Sequence, residues 1–327
     1  MSADVELDHV TVRVGNYIAV NDANLRVEDG EFFSFLGPSG CGKTTILRTI
    51  SGFLEPSEGD VRIGGRSMKG TGPNKRPTAL IFQNLALFPL MSVADNITYG
   101  LRVRGVPGAE RRRKADELLE LTALHGQGDK KVSELSGGQR QRVVIAGAMV
   151  LDPELVVADE PVSMLDVSIR TEILRLMLEL RGERELTYLF ITHDLSLAWV
   201  IADRIAVLYL GKIMEIGLAD DVIRRPHHPY TAALVSVSPS PEPPDPGTRA
   251  RRTILVGETP DAVHIPPGCR FNPRCPLAFD RCKIEEPPLF DVGGGQSAAC
   301  WLAEGGRELP VMPSAGTMSV GGPTPTA

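Results

Sequence analysis

The chain has 327 residues, 42% hydrophobic and 23% charged, and carries a net charge of −6. That length suits one large domain plus a smaller one, or two comparable ones, and the composition is ordinary for a folded chain with a full core. The charge and the 5% aromatic content exclude a nucleic-acid binder as partner class, and no apolar run or opening signal marks a membrane span or secretion.

In chain order, the first strong signal is an apolar strand over 32–36. It runs into Gly37-Pro38-Ser39-Gly40-Cys41-Gly42-Lys43-Thr44, and a helix opens from Thr45 onward. This spacing, in this context, is that of a loop that cradles phosphates. Its glycines let consecutive backbone N–H groups point inward, and the helix N-terminus adds positive potential. Lys43 can reach the outer phosphates and the Thr44 hydroxyl can ligate Mg²⁺. A flexible glycine turn is the plain alternative, but strand, turn, lysine, hydroxyl and helix occur together. The chain is expected to bind a nucleoside triphosphate.

Strands rich in Val, Ile, Leu and Phe then alternate with helical patterns up to about residue 210, which predicts an α/β fold with a mainly parallel sheet covered on both faces. Leu135-Ser136-Gly137-Gly138-Gln139 opens another helix and reads as a second anion site: a serine hydroxyl, bare backbone and a helix dipole. Two such sites for one nucleotide suggest a pocket shared between protomers, with a plain serine cap as the alternative. Residues 155–158 form a buried strand ending in Asp159 and Glu160. Asp159 would hold Mg²⁺, and Glu160 would orient and polarise the attacking water. Ile169, Ile173, Leu176, Met177 and Leu180 share one face of a helix over 167–180. Another apolar strand spans 188–192, and 205–216 resembles a hairpin closing the domain. Residues 236–247 change to a Ser- and Pro-rich stretch, expected as a stiff linker. A small Cys- and Pro-rich module is expected over 248–303, and a Gly-, Pro- and Thr-rich, disordered tail over 304–327. The first 235 residues would form the nucleotide-binding domain.

Together these motifs resemble the ATP-binding subunit of an ATP-binding-cassette (ABC) transporter. The ordered set is 37–44, Gln83, 135–139, Asp159-Glu160 and His193, and the resemblance covers about 5–303. It implies a P-loop cassette in which a mainly parallel core carries an antiparallel β subdomain and a helical subdomain. It also implies that two cassettes, identical or not, sandwich two ATP molecules head to tail. Ser136 and Gly138 of one would face the γ-phosphate held by Lys43 of the other, with Asp166 lining the interface. Gln83 would contact Mg²⁺ and the water, and His193 the γ-phosphate; either residue alone would more often be structural. The family usually stacks an aromatic on adenine; Val14 aligns there, and nearby Tyr17 is the candidate instead. Met164 replaces the usual Ala, and Gly147 the usual Arg.

The likeness divides along the chain. Residues 31–125, including Phe82-Gln83-Asn84-Leu85-Ala86-Leu87-Phe88-Pro89, resemble ATPases of polyamine importers. From Leu135 onward, Ala158-Asp159-Glu160-Pro161-Val162-Ser163 and Arg225-Pro226-His227-His228-Pro229-Tyr230-Thr231 resemble dipeptide and oligopeptide importer ATPases. The expected function is ATP hydrolysis for peptide import. The partners would be a separate membrane permease, a second cassette and, indirectly, an extracytoplasmic solute-binding protein. The place would be the cytoplasmic face of the inner membrane. A polyamine importer, or a soluble ABC protein working without a permease, is the alternative.

Cys41 lies inside the phosphate loop as a small packing residue. Cys269, Cys275, Cys282 and Cys300 stand on Pro-rich loops that could not build a core unaided. Disulfides are unexpected in a cytosolic chain, and the spacing lacks the close pairs that structural zinc favours. Four thiolates on irregular loops suit a [4Fe–4S] cluster, which the resemblance also implies; zinc and free thiols are the alternatives. Such a metal could be structural or, in a third reading, redox-sensing. The basic run of residues 111–114 reads as a solvated helix face.

Overall fold

The computed structural model describes residues 2–238, 255, 257–260 and 263–310. Strands β1 (Val5–Val14) and β2 (Tyr17–Val27) pair antiparallel, and β3 (Phe32–Leu36) leads through the glycine loop into α1 (Lys43–Ile50). β4 (Glu58–Ile63) and β5 (Arg66–Ser67) complete a four-stranded sheet in the order β2-β1-β4-β5. After β6 (Thr78–Ile81) come four helices: α2 (Val93–Ile97), α3 (Tyr99–Val103), α4 (Gly108–Leu121) and α5 (Gly137–Met149). The core then resumes with β7 (Leu155–Asp159), α6 (Val167–Arg184), β8 (Thr187–Thr192) and α7 (Leu195–Ile201). β9 (Arg204–Tyr209), β10 (Lys212–Leu218), α8 (Ala219–Arg224) and α9 (Pro229–Val237) follow, and α10 (Asp280–Ile284), β11 (Phe290–Gly293) and β12 (Gln296–Ala298) are the last α-helix and strands among the described residues.

The main sheet has eight strands in the order β11-β12-β10-β9-β3-β8-β7-β6. β9, β3, β8, β7 and β6 run parallel, and β10, β12 and β11 are added antiparallel. The parallel strands are apolar on both sides because helices cover both faces. Phe33 and Phe35 face α1 and the small sheet in one core. Phe32 stacks on Tyr188 at 5.0 Å in the core shared with α5 and α6. In α6 the predicted face is inward: Ile173, Leu176, Met177 and Leu180 are buried, with Ile169 packed partly against them.

The hairpin at 205–216 forms, but it does not close the sheet. Every residue of β10 from Ile213 to Gly217 is buried, so its outer edge would be an apolar template if left open. β12 covers it through Glu215↔Ala298 and Ile216↔Ser297. Residues expected in a separate Cys-rich module thus extend the cassette's own sheet. Cys269, Phe271 and Cys282 share a core with Tyr209 and Tyr230. Ser236 and Val237, read as the start of the linker, belong to α9. Of the linker expected over 236–247 and the tail expected over 304–327, residues 239–247 and 311–327 lie outside the described residues.

One buried cation ties the two sheets together. The Arg76 guanidinium donates to the Thr49 and Ile50 carbonyls at the end of α1 (2.8 and 2.7 Å), to Thr71 O (2.8 Å) and to Met68 O (3.1 Å). It thereby satisfies carbonyls that a helix end leaves without intrahelical partners. No described helix is long and apolar enough to cross a membrane.

Candidate nucleotide site

The parallel strands end in register, and that register assembles the site. Leu36 pairs with Thr192, Asp159 with Ile191, and Ile81 with Ala158. The glycine loop, the acidic pair, His193 and Gln83 therefore all emerge at the carboxyl edge of one sheet, where open α/β folds place ligands.

The loop over 37–44 wraps toward an uncapped helix start. Gly42 has φ +102°, no side chain caps α1, and its first turn holds no acid. Its N–H groups and dipole are left for an anion. A Cβ on Gly42 would stand 2.6 Å from Ala19 O, so the loop presses directly on β2. Lys43 Nζ donates to Gly37 O at 2.6 Å and Pro38 O at 2.8 Å, bridging the loop from within. Ser39, Gly40 and Thr44 are exposed, Pro38 and Thr45 half-buried, and Cys41 buried against Lys43. Burial raises the Cys41 thiol above its usual range, so it stays neutral packing.

Asp159 accepts a hydrogen bond from the Thr44 side chain, and burial raises its carboxyl above the usual range despite that bond. Next to it, Glu160 takes φ +46°, a left-handed backbone uncommon outside glycine, fixed by its N–H donating to Ile191 O at 3.1 Å. That twist turns its carboxylate toward two partners from other strands. Gln83 Nε2 donates to one oxygen at 3.3 Å, and His193 Nδ1 lies 3.1 Å from the other. Immediately after His193, Asp194 caps α7, accepting from Ser196 N and Leu197 N at 3.0 and 3.3 Å. Gln83, Glu160 and His193, far apart in sequence, meet here.

The second anion motif stands elsewhere. Ser136 Oγ accepts from Gln139 N at 3.3 Å and Gln139 Oε1 from Ser136 N at 3.0 Å, a self-contained capping box. A Cβ on Gly138 would lie 2.6 Å from Ile169 Cγ2, so α5 packs directly on α6. Leu165 lies beside Gly137, and exposed Asp166 begins α6 next to it. Tyr17 opens β2, paired with Val14, two residues before the Ala19 carbonyl that meets Gly42.

Cys269, Cys275, Cys282 and Cys300 line one cavity with His228, Phe271 and Trp301. Burial pushes Cys275 up to about 12 and Cys300 up to about 11. Among the described residues no three His, Cys, Asp or Glu side chains are grouped to hold a single metal ion. His228 is fully buried. Its Nδ1 accepts from Tyr230 N at 3.0 Å, which leaves the ring proton on Nε2, and Nε2 has no partner. Glu215 in β10 accepts from His227 N at 2.6 Å, His228 N at 3.1 Å and Gln296 Nε2 at 2.7 Å. Burial pushes its carboxyl up to about 7, against those hydrogen bonds. Sequence reading gave no role to Glu215 or His228; an acid inside the apolar run 213–216 was the available signal.

A groove of about 810 Å³ runs between the small sheet and the helices, lined by Phe82, Leu85, Phe88, Tyr99, Val144 and Leu151 among others. Phe82 and Phe88 are exposed in it.

The family model "ABC transporter" matches residues 20–163, and "Oligopeptide/dipeptide transporter, C-terminal region" matches 214–282. A putative peptide import ATP-binding protein of Brucella ovis is 40% identical over 301 residues, covering 89% of this chain and 94% of that protein. A putative oligopeptide transport ATP-binding protein of Bacillus subtilis is 40% identical over 294 residues, covering 87% and 89%. A spermidine/putrescine import ATP-binding protein of Rubrobacter xylanophilus is 42% identical over 231 residues, covering 71% and 61%. Among solved structures, a dimeric post-hydrolysis ATP-binding cassette bound to ADP and Pi is similar with TM-score 0.59 and 31% identity, covering 66% of this chain and 98% of that one. A component of an ABC transporter complex of Clostridium perfringens is similar with TM-score 0.63 and 27% identity, covering 67% and 90%.

Proposed function

The chain belongs to the ABC transporter ATPases of the peptide-import class, and from that premise we propose how its own residues bind and cleave ATP. The loop N–H groups, the start of α1 and Lys43 hold the β- and γ-phosphates. Thr44, Asp159 and Gln83 offer the hard oxygens that Mg²⁺ prefers, and an ion held there would neutralise charge on the phosphate oxygens. Glu160 accepts the proton of the attacking water. Gln83 and His193 hold its carboxylate at both oxygens, and His193 also contacts the γ-phosphate. Tyr17 is the surface for the adenine ring. The observation that carries this reading is the convergence of Gln83 and His193 on Glu160, one residue from the Asp159–Thr44 pair.

Ser136, Gly137, Gly138, Gln139 and Asp166 serve a second cassette, identical or paired with this one. Ser136 and Gly137 are exposed, and although the capping box uses the Ser136 and Gln139 N–H groups, Gly137 at the start of α5 is open to an anion across an interface. ATP closes that pair and hydrolysis reopens it. The aromatic groove beside Gln83 suits a helix of a separate permease, which would hold the chain peripherally at the cytoplasmic face of the inner membrane; a solute-binding protein would act outside.

We also assign the four-cysteine cavity to a [4Fe–4S] cluster. Four cysteines facing one buried space fit a multi-iron group. The sequence spacing of the four cysteines lacks the close pairs that a structural zinc site favours. The partnerless His228 N–H suits a sulfur acceptor on such a cluster. Bound there, the cluster would cross-link loops that lack a large core of their own. In this reading residues 1–235 are the nucleotide-binding unit and 248–303 its cluster-bearing extension.

The C-terminal match over 214–282 favours peptides over polyamines, whose ATPase relative matches over fewer residues. Vesicles carrying the permease and this chain, loaded with ATP, should take up labelled di- or oligopeptide. Uptake of spermidine without peptide uptake would overturn the peptide assignment.

A further inference from the structure

The phosphate loop rests against a turn that the C-terminal region clamps from behind. Between β9 and β10, Leu210 (φ +46°) and Gly211 (φ +76°) form a tight left-handed turn. The Gly211 N–H donates to the Cys41 carbonyl at 2.8 Å, and Gly211 O accepts from Asn21 N at 2.9 Å. No side chain fits there, because a Cβ on Gly211 would stand 2.5 Å from Ala19 O.

From the other side, Arg270 Nη1 donates to the Leu210 carbonyl. Arg270 is buried, and its Nε donates to Glu286 Oε1 at 2.9 Å. Glu286 also pairs with Lys212 at 3.1 Å, so both flanks of the turn are tied to residues 270–286. Next to it, the Tyr209 ring meets Phe271 edge-on at 5.5 Å.

This matters for an anion site, which needs N–H groups pointing in and carbonyls pointing out. Gly211 holds the Cys41 carbonyl outward. If the turn drifts, that peptide is free to rotate and aim an oxygen at the phosphates. We propose that Arg270 is a positioning residue for ATP, fixing the Leu210–Gly211 turn and, through Gly211 N–H and Cys41 O, the binding shape of the phosphate loop. The C-terminal region thereby takes part in nucleotide binding without touching nucleotide. The inference rests on residues 37–44 holding the phosphates, which wild-type ATP binding tests separately.

The experiment compares wild type, Arg270→Ala and Arg270→Lys as full chains with their permease, measuring KM for MgATP, kcat and amide exchange over 39–44 and 208–212. Arg270→Ala should raise KM about tenfold with kcat within about twofold, because loop contacts bind ground and transition states alike. Arg270→Lys should recover part of that loss, and exchange should quicken in both segments while 78–81 and 155–159 stay protected. If the Ala variant fails to fold, the Lys variant carries the same KM and exchange test. Unchanged KM in a folded variant, or KM unchanged with kcat falling in step with the folded fraction, would overturn the proposal. Failure of wild type to bind ATP would instead overturn the assignment of the loop.

Discussion

The candidate phosphate site and the four-cysteine cavity belong to one fold yet are built in opposite ways. The first is mostly backbone and strand ends: uncapped N–H groups at α1, and carboxylates placed by the register of β7 and β8. The second is side chains from loops and the short helix α10 spread over 269–302, closed by His228 from the start of α9. Regular strands fix positions through many ladder bonds at once, so the first site is set before any ligand arrives. In the proposed reading the second would depend on a cluster that cross-links its loops.

That contrast is open to breakage, starting with its largest consequence. Glu160→Gln should cut ATP turnover about 10²- to 10⁴-fold while ATP is still retained, read as phosphate release against bound nucleotide. Equal loss of binding would show that Glu160 supports the loop rather than the water. For the cysteine cavity, Cys282→Ser should lower iron from about four per chain to near none and lower Tm by several degrees, by iron assay and calorimetry. Iron at wild-type levels would remove Cys282 from the ligand set.

A sharper contrast comes from pH. Glu215 has its folded pKa raised to about 7 by burial, so the stability it contributes is fully present below about 4.5 and is lost as pH rises through about 7. The loss is on the order of 3 kcal/mol at most. Glu215→Gln should flatten the fall of Tm between pH 4.5 and 8; an unaltered slope would place the proton elsewhere. The smallest effect concerns two glycines of α5. Gly147→Ala meets only ordinary contacts, the nearest being Ile97 Cα at 3.8 Å, and should stabilise by about 0.5–1 kcal/mol. Gly138→Ala must displace Ile169 and should destabilise by about 1–3 kcal/mol.

Much of the first region was legible in the sequence because its signals are local. The strand of 32–36, the loop and Lys43, and the strand ending at Asp159-Glu160 all read correctly as elements from contiguous residues. The meeting of Gln83 and His193 at Glu160 needed the family pattern, since register between β6, β7 and β8 is not written in any one of them. The sheet's continuation beyond β10 was missed: an apolar strand shows that its edge must be covered, not that residues 296–298 will cover it. Arg270 and Arg76 look like ordinary surface cations in sequence. Only the folded chain shows that Arg76 donates to buried carbonyls and that Arg270 divides its donors between the Leu210 carbonyl and Glu286.

Arg76 has a mechanical consequence. Its single head group grips the last turn of α1 and the loop leaving the small sheet, while the opposite end of that helix faces the phosphates. Force applied to the small sheet therefore reaches α1, whose opposite end opens the proposed phosphate site, through a short strut. In the proposed pair of cassettes, parting the two would then carry the small sheet, the strut and any nucleotide held at α1 together.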